Sequence, residues 1–142
     1  MGVSRDTQLR ALQPLKAILQ GNGKEIFQFA YKTMRDGGDQ LSQIISLSTR
    51  FTIEEIPPQF CNFFQHVRGP SPVYAWVKYE RKEDSNCTEV LSRAKTTGRR
   101  GSVFGSNDRY VQLSLIRRQD GFDFLIQRFT DLVSEENRAE SM

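Results

Sequence analysis

The spacing of apolar residues changes partway along this chain, from a helical repeat to a strand repeat. Residues 9–19 place their leucines and Ile18 three or four positions apart, which is typical of one face of a helix. Residues 73–79 instead alternate apolar side chains with aromatic and charged ones, which is typical of a strand with two different faces. Because the two repeats occupy separate segments, the sequence predicts an α+β fold.

The first half predicts short helices separated by glycines. Breaks are expected at residues 21–23 and 36–38, and a third helical stretch at residues 41–47. The main helix of this half is expected to begin at Pro58, because proline is favoured in a first helical turn, and to end before Gly69.

The second half predicts a three-stranded antiparallel sheet closed by a C-terminal helix. Strands are expected at residues 73–79, 88–95 and 109–118, with a polar turn at 83–86 and a long loop at 96–108. From Phe122 onward, apolar residues recur at helical spacing over three turns. A chain of 142 residues can form one core. We therefore expect a single domain over residues 1–142, with a helical part at 1–50, a helix–sheet–helix part at 51–136 and a frayed tail at 137–142.

Few residues in the sequence are suited to catalysis or metal binding. Cys61 and Cys87 have no second cysteine or histidine nearby, which excludes the usual clustered zinc sites. His66, the one histidine, lies in an apolar segment, and no G-x-S-x-G nucleophile motif occurs. We therefore expect no enzyme, no metal site and no cofactor.

The first ten residues are polar, and no apolar run approaches the ~20 residues that span a bilayer. The sequence therefore predicts no transmembrane segment and a cytoplasmic or nuclear location.

Charge is unevenly distributed along the chain. Residues 68–118 contain eleven Lys and Arg against five Asp and Glu, whereas residues 119–142 contain two against six. Arginine guanidinium groups can donate paired hydrogen bonds to phosphate oxygens, and flexible glycines let the main chain approach a phosphate backbone closely. Aromatic rings can stack on bases. The first hypothesis is a non-enzymatic RNA- or nucleic-acid-binding module or accessory subunit. Its candidate binding residues are Arg93, Lys95, Arg99, Arg100, Arg109, Arg117 and Arg118, with Tyr74 and Trp76 as candidate stacking residues.

The predicted order of elements supports the same hypothesis. Helix, three antiparallel strands and helix with a basic sheet segment resembles double-stranded RNA-binding domains and the Alu-domain subunits of the signal recognition particle. The likeness lies in element order alone.

Other interpretations stay open at this point. The basic segment can be a solvated face, Trp76 can lie in the core, and an anionic membrane surface is a less favoured partner. The ten phenylalanines and the opposite charges of the sheet segment and last helix also suit a protein-interaction or self-assembling, oligomeric subunit. The segment Arg99-Arg100-Gly101-Ser102-Val103 matches the pattern of basophilic kinases, which makes Ser102 a candidate phosphorylation site under either hypothesis.

Overall fold

The computed structural model describes residues 2–82 and 86–141. Residues 83–85 of the expected polar turn, and Met142 of the expected tail, lie outside the described residues. The chain divides into two compact units, Met1–Thr33 and Met34–Met142. Within the described part, no helix combines the length and apolarity needed to cross a bilayer.

The first unit is helical. Helix α1 (Arg5–Gln20) begins after Ser4, whose hydroxyl oxygen accepts a hydrogen bond from the backbone N–H of Thr7 at 3.2 Å. The backbone takes positive φ angles at Asn22 and Gly23, and helix α2 (Lys24–Ile45) then begins. The predicted break at residues 21–23 is confirmed.

The predicted break at residues 36–38 is wrong, because α2 continues to Ile45. Gly37 and Gly38 are buried where α2 packs against its neighbours. A Cβ atom on Gly37 would lie 3.3 Å from the Phe122 ring, and one on Gly38 would lie 3.4 Å from Pro72. These glycines permit close packing rather than ending the helix.

The second unit contains two antiparallel sheets. Its strands are β1 (Phe51–Ile53), β2 (Gln59–Cys61), β3 (His66–Arg68), β4 (Tyr74–Tyr79), β5 (Arg99–Arg100) and β6 (Tyr110–Ser114). The larger sheet has the order β1-β4-β6-β5, and β2 pairs with β3 as a separate hairpin. The α+β class is confirmed, although the main sheet has four strands rather than three.

Two predicted elements have the wrong type. The expected helix from Pro58 is the β2–β3 hairpin, whose turn takes a positive φ at Gln65 and places the Arg68 guanidinium 4.2 Å from the Phe64 ring centroid. The expected strand at residues 88–95 is helix α3 (Cys87–Arg93). Asn86 caps α3, because its side-chain oxygen accepts hydrogen bonds from the first-turn amides.

Helix α4 (Gln119–Glu140) confirms the predicted C-terminal helix and covers one face of the main sheet. The core combines apolar residues from this sheet face with residues of α2, α3 and α4. Its largest members are Leu41, Ile45, Phe51, Tyr79, Leu91, Leu113, Leu125 and Phe129. Within the second unit, the described helices therefore cover one face of the main sheet.

Glu136 of α4 is a buried carboxylate, only 2% exposed, that fixes the segment before β1. It accepts hydrogen bonds from the Ser48 hydroxyl and the Thr49 backbone N–H, both at 2.7 Å, and from the Thr49 hydroxyl. Burial acts to raise the Glu136 pKa, but these hydrogen bonds together outweigh burial and hold the pKa below its usual value. A polar core residue is thus fully partnered.

Candidate functional site

The side of the main sheet opposite the core, here called the open face, is built from alternate residues of the strands. Along β4, Ala75, Val77 and Tyr79 are buried in the core while the residues between them point the other way. Cross-strand pairing aligns the corresponding residues of β5 and β6. The open face comprises Tyr74, Trp76, Lys78, Arg99, Tyr110, Gln112 and Ser114.

An aromatic cluster occupies the middle of the open face. The Trp76 ring meets the Tyr110 ring edge to face at 6.1 Å between centroids. It meets Phe104 at 5.4 Å in the same manner, and Phe104 ends the 3₁₀ turn Gly101–Phe104 that follows β5. Trp76 thus lies on the open face and not in the core.

A cavity of about 340 Å³, here called the arginine pocket, lies beside this cluster. Its walls are Tyr74, Thr97, Gly98, Arg99, Gln112, Ser114 and Arg117. A Cβ atom on Gly98 would lie 2.4 Å from Val111 Cγ2 and 2.9 Å from the Gln112 carbonyl oxygen. Only glycine lets the chain approach β6 this closely, and this approach fixes the backbone position of the next residue, Arg99.

The two arginines of this pocket differ in their partners. Arg117 donates from Nε to the Ser114 carbonyl at 2.9 Å and from Nη2 to the Thr97 carbonyl at 3.4 Å. The Arg99 side chain is exposed, and its guanidinium makes no hydrogen bond or ion pair with residues 2–82 or 86–141. Arg117 therefore ties the loop to the sheet, while the Arg99 guanidinium is free to bind a ligand.

A larger cavity of about 640 Å³, here called the cleft, lies where β1 ends beside β4. Tyr74 forms part of the wall of both the cleft and the arginine pocket. Apolar side chains in the cleft include Ile53, Ile56 and Leu115, and its polar wall includes the carboxylates of Asp39, Glu54 and Glu55. Tyr74 is therefore the residue that the walls of the two cavities have in common.

Lys78 and Glu80 form an ion pair at the edge of the open face, with 2.9 Å between Nζ and Oε2. The hydrogen bond to Glu80 raises the Lys78 pKa, and hydrogen bonds from Lys78 and Thr52 lower the Glu80 pKa. Lys78 is therefore held in its charged form.

The seven basic residues predicted as one binding surface differ in their surroundings. Arg99 and Arg117 share the arginine pocket, and Arg93 and Lys95 line a different cavity beside α4. Lys95 and Arg117 also line a third cavity together, near the start of α4. Arg93 pairs with Glu89 at 2.8 Å. The remaining three are dispersed: Arg109 donates to the Tyr79 and Arg81 carbonyls, Arg118 lies 3.5 Å from Asp120, and Arg100 is exposed on β5.

The other residues considered from sequence have separate surroundings. Ser102 is exposed in the 3₁₀ turn, and its modification stays a prediction. His66 is exposed on β3, and its Nδ1 lies 2.9 Å from the Phe64 carbonyl oxygen. A backbone hydrogen bond at Phe64 lowers the Cys61 pKa, whereas burial raises the Cys87 pKa to about 12. Among residues described by the structure, no group of three or more His, Cys, Asp or Glu is placed to hold a metal ion.

Comparison with known proteins decides the family. A family model described as Allinase (Alliinase_C) matches residues 1–133. The chain belongs to the Allinase family.

The chain is 54% identical over 136 residues, 96% of its length, to "Tryptophan aminotransferase-related protein 3" of Arabidopsis thaliana. It is 51% identical over 141 residues, 99% of this chain, to "Tryptophan aminotransferase-related protein 4" of the same plant. "Alliin lyase 1" of Allium sativum is 35% identical over 144 residues, 96% of this chain. The chain spans 30% of the length of each of these three relatives.

Membership of the Allinase family corrects the hypothesis of nucleic-acid binding, which is wrong. The alternative of a self-assembling structural subunit likewise receives no support from these relatives. The family is enzyme-related, since it includes alliin lyases.

Sequence reasoning selected Tyr74, Arg99 and Arg117 but missed Gln112 and Ser114 of the arginine pocket. Alternation along residues 110–114 already separated these two polar residues from Val111 and Leu113. The missing step was the cross-strand register, which places Gln112 beside both Arg99 and Trp76.

Proposed function

We propose that this chain contributes the substrate-contacting part of an enzyme that transforms an amino acid, by transamination or by a lyase reaction. The observation that carries this proposal is the 54% identity to "Tryptophan aminotransferase-related protein 3" across 96% of the chain. The alliin lyases at 35% identity are the reason for including the lyase reaction. Because the chain spans 30% of these relatives, the activity of the whole protein is part of the proposal.

The arginine pocket on the open face and the cleft have features suited to binding a small polar molecule. The cleft lies in the volume range of small-ligand sites, which combine mostly apolar walls with a few placed polar groups. Amino acids combine an anionic carboxylate, a cationic ammonium group and a side chain. The arginine pocket and the acid-bearing apolar cleft together offer complementary surfaces to all three.

Transamination and many lyase reactions of amino acids depend on pyridoxal phosphate, which stabilises carbanions as an electron sink when it is bound. An enzyme holds this cofactor through a lysine that must be able to lose its proton. Neither the cleft nor the arginine pocket has a lysine in its wall. Lys78, on the same face, is held charged by Glu80. These residues do not fit a pyridoxal phosphate site, and we assign none of them to the cofactor.

The substrate contacts would come from the chain's own side chains. Tyr74, which borders both cavities and is 50% exposed, can contact substrate in either. The aromatic cluster around Trp76 limits how far a bound molecule extends across the sheet. In this proposal the open face selects and orients substrate.

The test uses the full natural polypeptide that carries this sequence, supplied with pyridoxal phosphate. L-tryptophan with pyruvate as amino acceptor tests transamination, and S-allyl-L-cysteine sulfoxide tests the lyase reaction through release of pyruvate. We expect product from at least one substrate and a higher KM in Tyr74→Ala. Phe124→Ala, an exposed aromatic on α4 outside both cavities, serves as the matched control with unchanged KM. Absence of product from both substrates would reject the proposed function.

A further inference from the structure

We propose that a basic cavity between α3 and α4 binds an organic diphosphate, a small molecule that carries two linked phosphate groups. No residue of its wall also lines the cleft or the arginine pocket. The site is therefore separate from the cavities that the proposed function uses.

This cavity, here called the basic pocket, has a volume of about 550 Å³, which is in the range of small-ligand sites. Its wall includes one residue just before β1, the C-terminal end of α3 and the second half of α4. Segments far apart in the sequence thus bring five basic side chains to one cavity: Arg50, Arg93, Lys95, Arg128 and Arg138.

Two acidic residues in the same wall, Asp131 and Glu135, offset part of this charge. Asp131 Oδ2 lies 3.8 Å from Arg128 Nη1, which is a long separation for an ion pair. Five positive and two negative side chains leave the wall with a net charge of +3. A field of this sign and size attracts an anion that carries several charges.

Arg50 and Arg128 contact aromatic residues, but their hydrogen bonding is incomplete. Arg50 Nη2 donates to the Tyr79 hydroxyl at 3.3 Å, and the Arg128 guanidinium carbon lies 4.6 Å from the Phe124 ring centroid. In both arginines Nε is buried and has no hydrogen-bond partner among the described residues. A guanidinium group has five N–H donors, and leaving donors unpaired in a partly buried group costs free energy. An anion bound to these two groups would recover part of that cost.

Lys95 has a backbone conformation that lysine seldom adopts. Its φ is +57°, in the left-handed region, two residues after the end of α3, where glycine is the usual choice. Such conformations are concentrated at functional sites. Neither the Lys95 ammonium nor the Arg138 guanidinium has a hydrogen bond or ion pair within residues 2–82 and 86–141. The chain therefore accepts a strained turn that places an unpaired cation in the pocket wall.

The wall suits linked phosphates better than a single carboxylate. One carboxylate has a single negative charge, whereas a diphosphate has several charges and enough acceptor oxygens to meet several cations at once. Val90, Ala94 and Leu132 add apolar surface on which the carbon skeleton of such a molecule can pack. These features favour an organic diphosphate over a free amino acid.

The test is isothermal titration of the full natural polypeptide with pyrophosphate and with inorganic phosphate, in phosphate-free buffer. Ionic strength is kept constant, because salt alone screens surface charges. Lys95→Gly and Arg138→Gln each remove one positive charge from the pocket, and Glu135→Gln removes a negative one. Arg100→Gln, an exposed arginine of β5 outside the pocket, is the matched control. Circular dichroism checks that each variant is folded, and glycine at position 95 adopts the positive φ without strain.

We expect wild type to bind one pyrophosphate per chain, more tightly than inorganic phosphate. Lys95→Gly and Arg138→Gln should each weaken pyrophosphate binding about fivefold or more, because each removes a charged hydrogen-bond donor. Glu135→Gln should strengthen binding about twofold or more, since it removes a repulsive charge. Arg100→Gln should stay within about twofold of wild type.

The two weakening variants also locate the ligand. Lys95 lines the third cavity as well, whereas Arg138 does not, so losses in both variants place pyrophosphate in the basic pocket. A loss in Lys95→Gly alone would place the ligand elsewhere and overturn the proposal. Equal losses in Arg138→Gln and Arg100→Gln, equal affinities for the two anions, or no pyrophosphate binding by wild type would also overturn it.

Discussion

The two faces of the main sheet are made from alternate residues of the same strands, yet they differ in burial and chemistry. Val77 and Leu113 are fully buried beneath the helices, while Trp76 and Gln112, one position earlier, lie partly exposed on the open face. Packing limits which side chains fit on the covered face, because its core residues are surrounded by other protein atoms. The open face has fewer packing constraints, so its residues can vary with the ligand while the backbone beneath them stays fixed.

The largest expected effect contrasts neighbours on the two faces. Leu113→Ala should lower the free energy of unfolding by about 3 kcal/mol, because it leaves a cavity in the core. Gln112→Ala should change it by about 0.5 kcal/mol or less, since that side chain has no packing role in the core. Urea unfolding followed by circular dichroism measures both. Similar losses in the two variants would show that the open face also contributes to the packed structure.

A second experiment tests the close approach of the chain to β6. Gly98→Ala should lower the free energy of unfolding by about 2 kcal/mol, because its Cβ would overlap Val111 Cγ2 and the Gln112 carbonyl oxygen. Gly121→Ala is the control, since a Cβ there meets nothing nearer than 3.8 Å and alanine favours the helix. Denaturant midpoints of the two variants should move in opposite directions. An unchanged midpoint in Gly98→Ala would mean that β5 is not tightly held.

The third experiment concerns Glu136, the buried carboxylate of α4 on the covered side of the sheet. Glu136→Gln should cost about 1.5 kcal/mol at pH 7, since it leaves mismatched hydrogen bonds at Ser48 and Thr49. The pKa of Glu136 is lower in the folded protein than in the unfolded chain. Its carboxylate therefore contributes fully to the free energy of unfolding above the unfolded-state pKa, and this contribution is lost as the pH falls through the folded-state pKa. Unfolding from pH 6 down to pH 3 should therefore show the gap between wild type and variant shrinking. A constant gap would contradict a titrating role.

The smallest expected effect is on the aromatic cluster. Phe104→Ala should lower the free energy of unfolding by about 1 kcal/mol or less, because one edge-to-face contact with Trp76 is lost. Trp76 is the one tryptophan of the chain, so its fluorescence reports directly on this contact. We expect emission to shift to longer wavelength as the ring becomes more exposed. Val103→Ala, at a side chain 69% exposed in the same turn, should leave the spectrum unchanged.

The spacing of apolar residues predicted those helices and strands that are long enough to show a clear repeat. The strand at Tyr74–Tyr79 and helix α4 were found this way. Strand β5 could not be found, because it has two residues and depends on Gly98 meeting β6. The hairpin at residues 59–68 was missed because its apolar spacing also fits a helix and its pairing depends on tertiary contacts.

The candidate site shows a similar limit. Arg99 and Arg117 look equivalent in sequence, but only the fold shows that backbone carbonyls occupy Arg117. The class of function was missed because element order and net charge are shared by many unrelated modules. Residue-level similarity to the Allinase family was needed to identify it.

The brevity of the outer strands also bears on how the protein avoids aggregation. An exposed strand edge is a template on which another chain can add by hydrogen bonding, and natural proteins limit it with short strands and charged side chains. At one edge of the main sheet β1 has three residues, and at the other β5 has two, both of them arginines. Arg100, which takes no part in the pocket, therefore helps keep this edge from recruiting a neighbour, and replacing both arginines by valine should favour assembly into extended sheets.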